Sequence, residues 1–186
     1  MTHIVLDIDG TLVSEVVNND INIVPRPYLE EFLYFCFNNF ESVSIWTAAT
    51  GEWFDYIDKR ILKPIREKYK LPNFFLVWTC EKCSYKHDVT WIPSRGEFCH
   101  SVKRIKPLKK LWKKKRWGLT KHNTLILDNT PTAYLNNYGN AIPIPTFYKG
   151  DVSDEHLKYL TCYLEQFISK NSIIRSTDKR DWWLDY

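Results

Sequence analysis

Two carboxylates separated by one residue follow an apolar run in segment 4–12, whose sequence is IVLDIDGTL. Side chains alternate faces along a strand, so Asp7 and Asp9 point the same way if the chain stays extended through Ile8. Gly10 then permits the turn by which the chain leaves the sheet. One carboxylate can attack an electrophile, while the other, protonated, supplies a proton to the leaving group and later activates water. These residues predict a carboxylate nucleophile with an acid–base partner.

The same two acids suit a divalent cation. Mg²⁺ takes hard oxygen ligands, keeps several waters and accepts one or two protein carboxylates together with a substrate phosphate oxygen. The alternative is a solvated junction between a strand and a turn, in which both carboxylates cap a following helix. The rest of the chain bears on this choice.

Short apolar runs alternate with longer amphipathic ones, which predicts an α/β fold with a parallel sheet and helices on its faces. We expect strands over 4–6, 43–46, 74–78, 124–127 and 141–144. Helical spacing predicts helices over 27–38, 52–70 and 154–169. The second should be kinked or divided at Pro64, and Ser153 should cap the third. Segment 79–104 fits neither period, reads unlike a simple β-hairpin, and is interpreted as an insertion.

Length and composition indicate one globular domain. The 186 residues, 44% of them hydrophobic, can bury a core without disulfides or structural metals. No apolar run reaches the length of a membrane span, the start does not resemble a signal peptide, and five scattered cysteines are typical of a reducing compartment. We therefore expect a soluble, intracellular protein, nuclear or cytoplasmic, without a membrane partner. Its domain should cover 1–170, with the insertion at about 79–104 and a tail at 171–186.

Polar side chains follow the predicted strands at their carboxyl ends, where open α/β sheets collect their chemistry. Thr47 follows the second strand, Asp128 and Asn129 follow the fourth, and Lys106 precedes a predicted helix. Cleavage of a phosphate monoester needs a nucleophile, an acid, a cation, a lysine to spread charge and a hydroxyl to orient the phosphoryl group. Each motif is weak alone, but their order favours a site over a set of turns and helix caps.

These motifs resemble the haloacid dehalogenase superfamily, whose signature is D-x-D-x-T at this position. More narrowly, the chain resembles the phosphatases of the RNA polymerase II C-terminal domain, including the NLI-interacting-factor-like group. The match spans roughly residues 3 to 168 and is carried by LDIDGTLV at 6–13, RP at 26–27, WTA at 46–48, KPL at 106–108, LILDNTP at 125–131, Tyr134 and NAIPI at 140–144. The resemblance implies a haloacid dehalogenase core, a Rossmann-like parallel sheet flanked by helices, with a small cap-like insertion.

The resemblance also implies catalytic roles. Asp7 becomes the nucleophile that forms an aspartyl-phosphate, and Asp9 becomes the general acid and base. Thr47 would hold the phosphoryl group and Lys106 would neutralise it. Lys103 is the rival for the lysine role, and Lys106 is preferred because Lys-Pro-Leu opening a helix matches the family better.

The resemblance further implies that Mg²⁺ is the cofactor. Its ligands would be the Asp7 carboxylate, the Asp9 backbone carbonyl and the Asn129 side chain. Asp128 would orient Lys106 or add negative charge near the metal.

Three functions remain open. The resemblance implies a protein phosphatase acting on phosphoserine or phosphothreonine, for example in a tail like that of RNA polymerase II. Gly10 stands where many members of the polymerase-tail group have Glu, which puts the substrate class in doubt. A phosphatase for a nucleic-acid end or a small phosphometabolite is therefore the second hypothesis. A binding module that has lost the chemistry is the third.

The insertion contains a second set of potential metal ligands. Cys80, Cys83, His87, Cys99 and His100 could supply zinc, for which Cys-x-x-Cys is a common half-site. Cys99 and His100 are adjacent and do not easily bind one ion together, so free thiols are the alternative.

Charge is concentrated in one segment. Residues 103–121 contain ten Lys or Arg and no acid, which leaves 16 basic against 22 acidic residues elsewhere. Such a block could attract a phosphorylated peptide, an acidic protein or a nucleic acid, and the alternative is a solvated helix face. At the far end, Trp182 and Trp183 could dock on the domain or bind a partner, and the sequence does not decide which.

Overall fold

The computed structural model describes residues 2–17, 21–137 and 139–185. Five parallel strands form the central sheet: β1 His3–Leu6, β4 Ser42–Trp46, β5 Val77–Trp78, β8 Thr124–Asp128 and β9 Ala141–Pro143, in the order β5-β4-β1-β8-β9. Two antiparallel hairpins accompany it, formed by β2 Val13–Val17 with β3 Ile21–Pro25 and by β6 Ser84–Ile92 with β7 Glu97–Ile105.

The helices lie between these strands and after them. They are α1 Leu29–Asn39, α2 Gly51–Ile57, α3 Lys63–Lys68, α4 Lys109–Trp112 and α5 His156–Ser169, with a π-helical turn at Asp58–Leu62 and single 3₁₀ turns at Cys80–Lys82, Lys115–Trp117 and Trp182–Asp185. Within the described ranges, no helix combines the length and apolar character needed to cross a membrane.

The central strand β1 is buried on both faces, as expected in a parallel sheet covered by helices. Ile4 and Leu6 belong to the apolar cluster that contains Phe32 of α1. Val5 points the other way and belongs to a second cluster with Leu108. With both faces packed, β1 delivers its following polar residues to the carboxyl edge of the sheet.

The predicted α/β class and parallel sheet are confirmed. All five predicted strands form, although the one expected over 74–78 shortens to Val77–Trp78. The preceding main chain still pairs with β4, since the Phe75 N–H donates to the Val43 carbonyl at 2.8 Å. The helix expected over 52–70 is divided as predicted. Its π turn ends just before Pro64, whose ring and missing N–H are tolerated at the start of α3.

Three expectations about local structure were wrong or incomplete. Segment 79–104, expected to be unlike a hairpin, consists mainly of the β6–β7 hairpin, because exposed residues on both faces mask its alternation. The β2–β3 hairpin was missed, although β-branched residues flank the turn-forming sequence at 18–20. Ser153 does not cap α5: its hydroxyl donates to Asp151, while Asp154 accepts the His156 N–H at 3.1 Å.

The C-terminal segment packs against the domain. Trp182 is buried among the core residues, and its indole N–H donates to the Pro143 carbonyl at 2.7 Å. Trp183 lies partly buried against the same core. Of the two alternatives that the sequence left open, docking on the domain and binding a partner, the structure therefore shows docking.

Candidate active site

The carboxylate of Asp7 lies at the carboxyl end of β1 between two donors. Its backbone N–H donates to the Leu127 carbonyl at 3.0 Å, which extends the pairing with β8 and fixes the main chain. Lys106 Nζ donates to Oδ1, and Thr11 Oγ1 donates to Oδ2 at 3.0 Å. Both oxygens are therefore aimed by fixed contacts, and the residue lines a cleft of about 500 Å³.

The ammonium group of Lys106 bridges two carboxylates. It contacts Asp7 Oδ1 and donates to Asp128 Oδ2 at 2.8 Å, and its side chain is 2% exposed. Its backbone N–H donates to the Ala133 carbonyl, and its carbonyl accepts from Asn137 Nδ2 at 2.6 Å. Burial opposes the charged form, but the two carboxylates outweigh it and raise the pKa of Lys106. The group is therefore a fixed cation beside the candidate nucleophile.

Asp128 ends β8 and is completely buried. Burial, and then the nearby Asp7, raise its pKa, while Lys106 and the Thr130 N–H at 2.8 Å oppose that rise. Because Asp128 holds the far side of the Lys106 ammonium, it is placed to orient the lysine as expected. Its role stays a prediction.

The turn after Asp9 brings a hydroxyl and an amide to Asp7. Thr11 Oγ1 lies 3.2 Å from Asn129 Oδ1 and accepts the Asn129 N–H at 3.2 Å. Gly10 has a φ of 74°, and a Cβ there would lie 2.6 Å from Asn129 Nδ2. Glycine is therefore favoured both by the backbone conformation and by the close approach of the amide.

Both oxygens of Asp9 accept hydrogen bonds from side chains. Trp53 Nε1 donates to Oδ1 at 2.7 Å, and Thr47 Oγ1 donates to Oδ2 at 3.1 Å. Burial is the main cause that raises the pKa of Asp9; Asp7 adds to it, and the two hydrogen bonds oppose it. A carboxyl group whose pKa is raised holds a proton more readily, which suits a general acid.

Sequence reasoning missed Trp53. The Thr50 hydroxyl caps α2 by accepting the Trp53 N–H at 3.3 Å, which puts the indole in the first turn facing the strand ends. The ring also stacks on the Tyr56 ring, with the ring centroids 5.7 Å apart. Thr50 was a recognisable cap, but nothing in the local sequence pairs an indole N–H with Asp9.

The Arg26 side chain stabilises the turn that follows Asp9. Its guanidinium binds Asp154 through two hydrogen bonds of 2.8 Å, and its side chain is 0% exposed. It also donates to the Thr11 carbonyl at 3.1 Å and to the Pro145 carbonyl at 2.9 Å. The buried pair thus connects the first motif to the start of α5.

The β6–β7 hairpin borders one side of the cleft. Tyr85, Val102 and Arg104 line it together with Asp7 and Asp9. Arg104 Nη1 also donates to the Ala48 carbonyl at 3.1 Å, directly after Thr47. The sequence predicted a cap-like insertion here but did not identify these three side chains.

The residues expected to bind Mg²⁺ can be compared with the ligands that this ion prefers. Across the described ranges, no three His, Cys, Asp or Glu side chains lie together in a way that could hold a metal ion. The expected set instead combines the Asp7 carboxylate, the Asp9 carbonyl and the Asn129 amide. Asn129 Nδ2 donates to Thr146 at 3.0 Å, which turns Oδ1 toward Thr11 and Asp7. Hard oxygens with room for waters fit Mg²⁺.

The rival lysine and the zinc ligands lie elsewhere. Lys103 Nζ pairs with Asp88 at 2.6 Å on the hairpin. Cys83 is buried at the hairpin base, whereas Cys99 pairs with Thr90 near the tip. Seven residues of strand separate these levels, or about 23 Å. The cysteines and histidines of the insertion are therefore not brought together as one site.

The basic segment 103–121 comprises the end of β7, the short helix α4 and the residues that follow it. After α4 the chain makes a 3₁₀ turn, and Lys113, Lys114, Lys115 and Arg116 are exposed. Trp117 packs at 6.0 Å from the Trp78 ring. An acidic or nucleic-acid partner for this segment stays a prediction.

The chain belongs to the NLI interacting factor-like phosphatase family, whose model matches residues 2–175. The resemblance inferred from the motifs is thereby confirmed. Among curated proteins, the chain is similar to ubiquitin-like domain-containing CTD phosphatase 1 of Rattus norvegicus, with 27% identity over 187 residues, 98% of this chain and 54% of that protein. The corresponding Danio rerio protein is 28% identical over 183 residues, 96% of this chain and 53% of its own length. The chain therefore spans about half the length of these relatives.

Solved structures share the fold. Fcp1, an essential RNA polymerase II CTD phosphatase, matches with a TM-score of 0.53 and 16% identity over 91% of this chain and 50% of Fcp1. An uncharacterized protein from Listeria monocytogenes serotype 4b matches with a TM-score of 0.51 and 12% identity over 91% of this chain and 99% of that chain. At these identities the likeness establishes the fold alone.

Proposed function

We propose that this chain is a Mg²⁺-dependent protein phosphatase that cleaves phosphoserine or phosphothreonine through a phosphoryl-aspartate at Asp7. The observation that carries the proposal is the buried Lys106 ammonium held between Asp7 and Asp128, beside an Asp9 that is hydrogen-bonded at both oxygens. Membership of a phosphatase family supports phosphoryl transfer as the reaction.

In the first step, a carboxylate oxygen of Asp7 attacks phosphorus and the bond to the serine or threonine oxygen breaks. Lys106 neutralises negative charge on the transferring group, and Thr47 orients it by hydrogen bonding. Asp9 gives its proton to the departing oxygen, so that a neutral alcohol leaves. The product of this step is a phosphoryl group bound to Asp7.

In the second step, Asp9 acts as a base. It takes a proton from water as that water attacks the phosphoryl group, and the bond to Asp7 breaks to release inorganic phosphate. Trp53 Nε1 donates to Oδ1 of Asp9, so the same group is held for both proton transfers when the single proton of the Thr47 hydroxyl is given to the phosphoryl group.

Mg²⁺ would be held by the Asp7 carboxylate, the Asp9 carbonyl and the Asn129 amide oxygen. When bound, it supplies positive charge beside the phosphate oxygens. Thr11 supports this role because its hydroxyl donates to Asp7 Oδ2 and accepts the Asn129 N–H at 3.2 Å, which holds both residues at the site.

A polypeptide substrate is supported by the names of the relatives, which are CTD phosphatases, and by a cleft bordered by a hairpin. The exposed basic residues at 113–116 favour a second candidate, a phosphatase for a nucleic-acid end. A binding module without chemistry is the third, and a fully assembled set of acids and lysine argues against it.

The test is phosphate release with Mg²⁺ and with chelator, from para-nitrophenyl phosphate, a phosphoserine peptide and a terminally phosphorylated oligonucleotide. We expect Mg²⁺-dependent release that is abolished by Asp7→Asn, with the peptide preferred over the oligonucleotide. Retained turnover in Asp7→Asn would contradict the nucleophile. Preference for the oligonucleotide would replace the protein substrate with the second candidate.

A further inference from the structure

The β6–β7 hairpin carries its exposed large apolar side chains on one face. Residues directly opposite each other in an antiparallel pair share a face, and successive residues alternate between faces. The register therefore puts eight residues on the same side, which we call the aromatic face: Tyr85 with Arg104, His87 with Val102, Val89 with His100, and Trp91 with Phe98. Trp91 is 48% exposed and Phe98 is 63% exposed, with their rings 4.9 Å apart.

The opposite face is mainly polar. Lys86 lies opposite Lys103, Thr90 lies opposite Cys99, and Asp88 pairs with Lys103 at 2.6 Å. Its two isoleucines lie at its ends, where Ile105 is buried and Ile92 is partly buried. The exposed large apolar side chains are thus collected on one side of the hairpin. A row of half-exposed aromatic residues on an otherwise polar hairpin is typical of an interaction surface.

The aromatic face is continuous with the candidate active site. Tyr85, Val102 and Arg104 line the catalytic cleft with Asp7, and all three belong to this face. Six residues separate Tyr85 from Trp91, which corresponds to about 20 Å of strand. The surface therefore begins where the phosphoryl group would be cleaved and extends away from it.

We propose that the aromatic face docks the polypeptide that flanks the phosphorylated residue, and that it favours substrates with aromatic or large aliphatic residues within about six positions of that residue. The proposal rests on the proposed function and specifies its substrate class. Val89 and Val102 between the aromatic rings suit aliphatic side chains, and Arg104 at the cleft suits the phosphate or an acidic neighbour.

Charge distribution favours a polypeptide over a single-stranded nucleic acid. A nucleic-acid groove needs a row of cations that follows the backbone beside its stacking rings. Of the eight residues of the aromatic face, all described in the structure, only Arg104 carries a permanent positive charge. Lys86 and Lys103 point to the opposite face, and Lys103 is already paired with Asp88.

The test compares Trp91→Ser/Phe98→Ser with a matched control, Thr90→Ser/Cys99→Ser, which alters the polar face at the same level of the hairpin. Two phosphoserine peptides of equal length and charge are used, one with aromatic and leucine flanks and one with glycine and asparagine flanks. The readouts are kcat/KM for each peptide relative to para-nitrophenyl phosphate, and binding of the fluorescein-labelled peptides by anisotropy. An oligothymidylate competitor and sedimentation velocity are included.

We expect the native chain to prefer the apolar-flanked peptide about tenfold in kcat/KM and in affinity. The Trp91/Phe98 variant should lose this preference, and the control should keep it. Equal use of both peptides, or a preference that survives in the variant, overturns the docking. Competition by oligothymidylate that disappears in the variant would assign the face to nucleic acid, and a dimer that the variant dissociates would assign it to a second copy.

The two proposals fail differently. If no substrate is turned over, the phosphatase proposal is contradicted, while anisotropy still reports whether the aromatic face selects the apolar-flanked peptide. If para-nitrophenyl phosphate is hydrolysed without any difference between the peptides, the docking alone is contradicted.

Discussion

Trp53→Phe tests whether the indole N–H positions Asp9 for proton transfer. The substitution removes the donor 2.7 Å from Asp9 Oδ1 but keeps an aromatic ring to pack on Tyr56. A hydrogen bond to a charged group contributes about 1.5–3 kcal/mol. If that contact holds the carboxyl group in the geometry needed to protonate the leaving oxygen, kcat on a phosphoserine peptide should fall about tenfold to a hundredfold.

The leaving group separates a positioning role from a structural one. Serine leaves as a strongly basic alkoxide and needs the proton from Asp9, whereas para-nitrophenolate leaves without one. We therefore expect Trp53→Phe to slow release of the peptide alcohol much more than release of para-nitrophenolate. The two rates are measured in single turnovers with enzyme in excess, because the later hydrolysis of the phosphoryl-aspartate uses Asp9 for both substrates. The matched control is Tyr56→Phe, which keeps the indole and should leave the ratio of the two rates unchanged.

Equal losses in these single-turnover rates would refute this reasoning, since they would mean that Trp53 supports the cleft generally and does not act through the proton that Asp9 gives to the leaving group. An unchanged kcat on the peptide would refute it as well. Far-ultraviolet circular dichroism of each variant excludes loss of α2 as the cause.

Lys106→Met should lower kcat at least about a hundredfold, because it removes the cation beside Asp7. The matched Lys103→Met should keep a kcat near the native value. The reverse ranking in steady-state assays would identify Lys103 as the catalytic lysine. Arg26→Met should lower the free energy of unfolding by about 3–5 kcal/mol at neutral pH, because it removes the guanidinium partner of the buried Asp154 carboxylate. Burial opposes ionisation of Asp154, but Arg26 outweighs it and lowers its pKa, so this stabilisation is present above an ordinary aspartate pKa of about 3.9 and is lost as pH falls through the lower native value. Urea unfolding should therefore show that the difference in the free energy of unfolding between the native chain and Arg26→Met narrows in acid. The effect of Arg26→Met should also be smaller when Asp154→Leu is already present. A difference that stays constant would contradict the ion pair.

Local patterns predicted the sheet and the acids at its edge, because each depends on a few consecutive residues. The apolar run before Asp7 and the run before Asp128 required only short windows. The lysine was chosen over its neighbour by family resemblance, and the structure places Lys106, not Lys103, beside Asp7. What the sequence could not supply were contacts across long separations, such as Arg26 with Asp154 or Trp53 with Asp9.

The hairpin was misjudged for a different reason. Strand prediction relies on one buried and one solvated face, but on β6 and β7 both faces are largely solvent-exposed and only the base is buried. The apolar alternation of Val89, Trp91, Phe98 and Val102 was present in the sequence, yet charged and polar neighbours diluted it. Apolar side chains that face solvent and do not pack on a core give a weak alternation pattern, so the strands that carry them are hard to predict.

Gly10 also acquires a local explanation. At the sequence level, glycine in place of the glutamate common in the polymerase-tail group raised doubt about a protein substrate. In the structure, its φ of 74° and the 2.6 Å approach of Asn129 Nδ2 to a Cβ at this position favour glycine for local reasons that do not involve the substrate. A side chain here would displace Asn129, a proposed Mg²⁺ ligand, or disturb the hydroxyl of Thr11 that holds Asp7. The residue therefore reports on how this chain assembles its phosphoryl site, and the substrate must be inferred from the cleft and the hairpin.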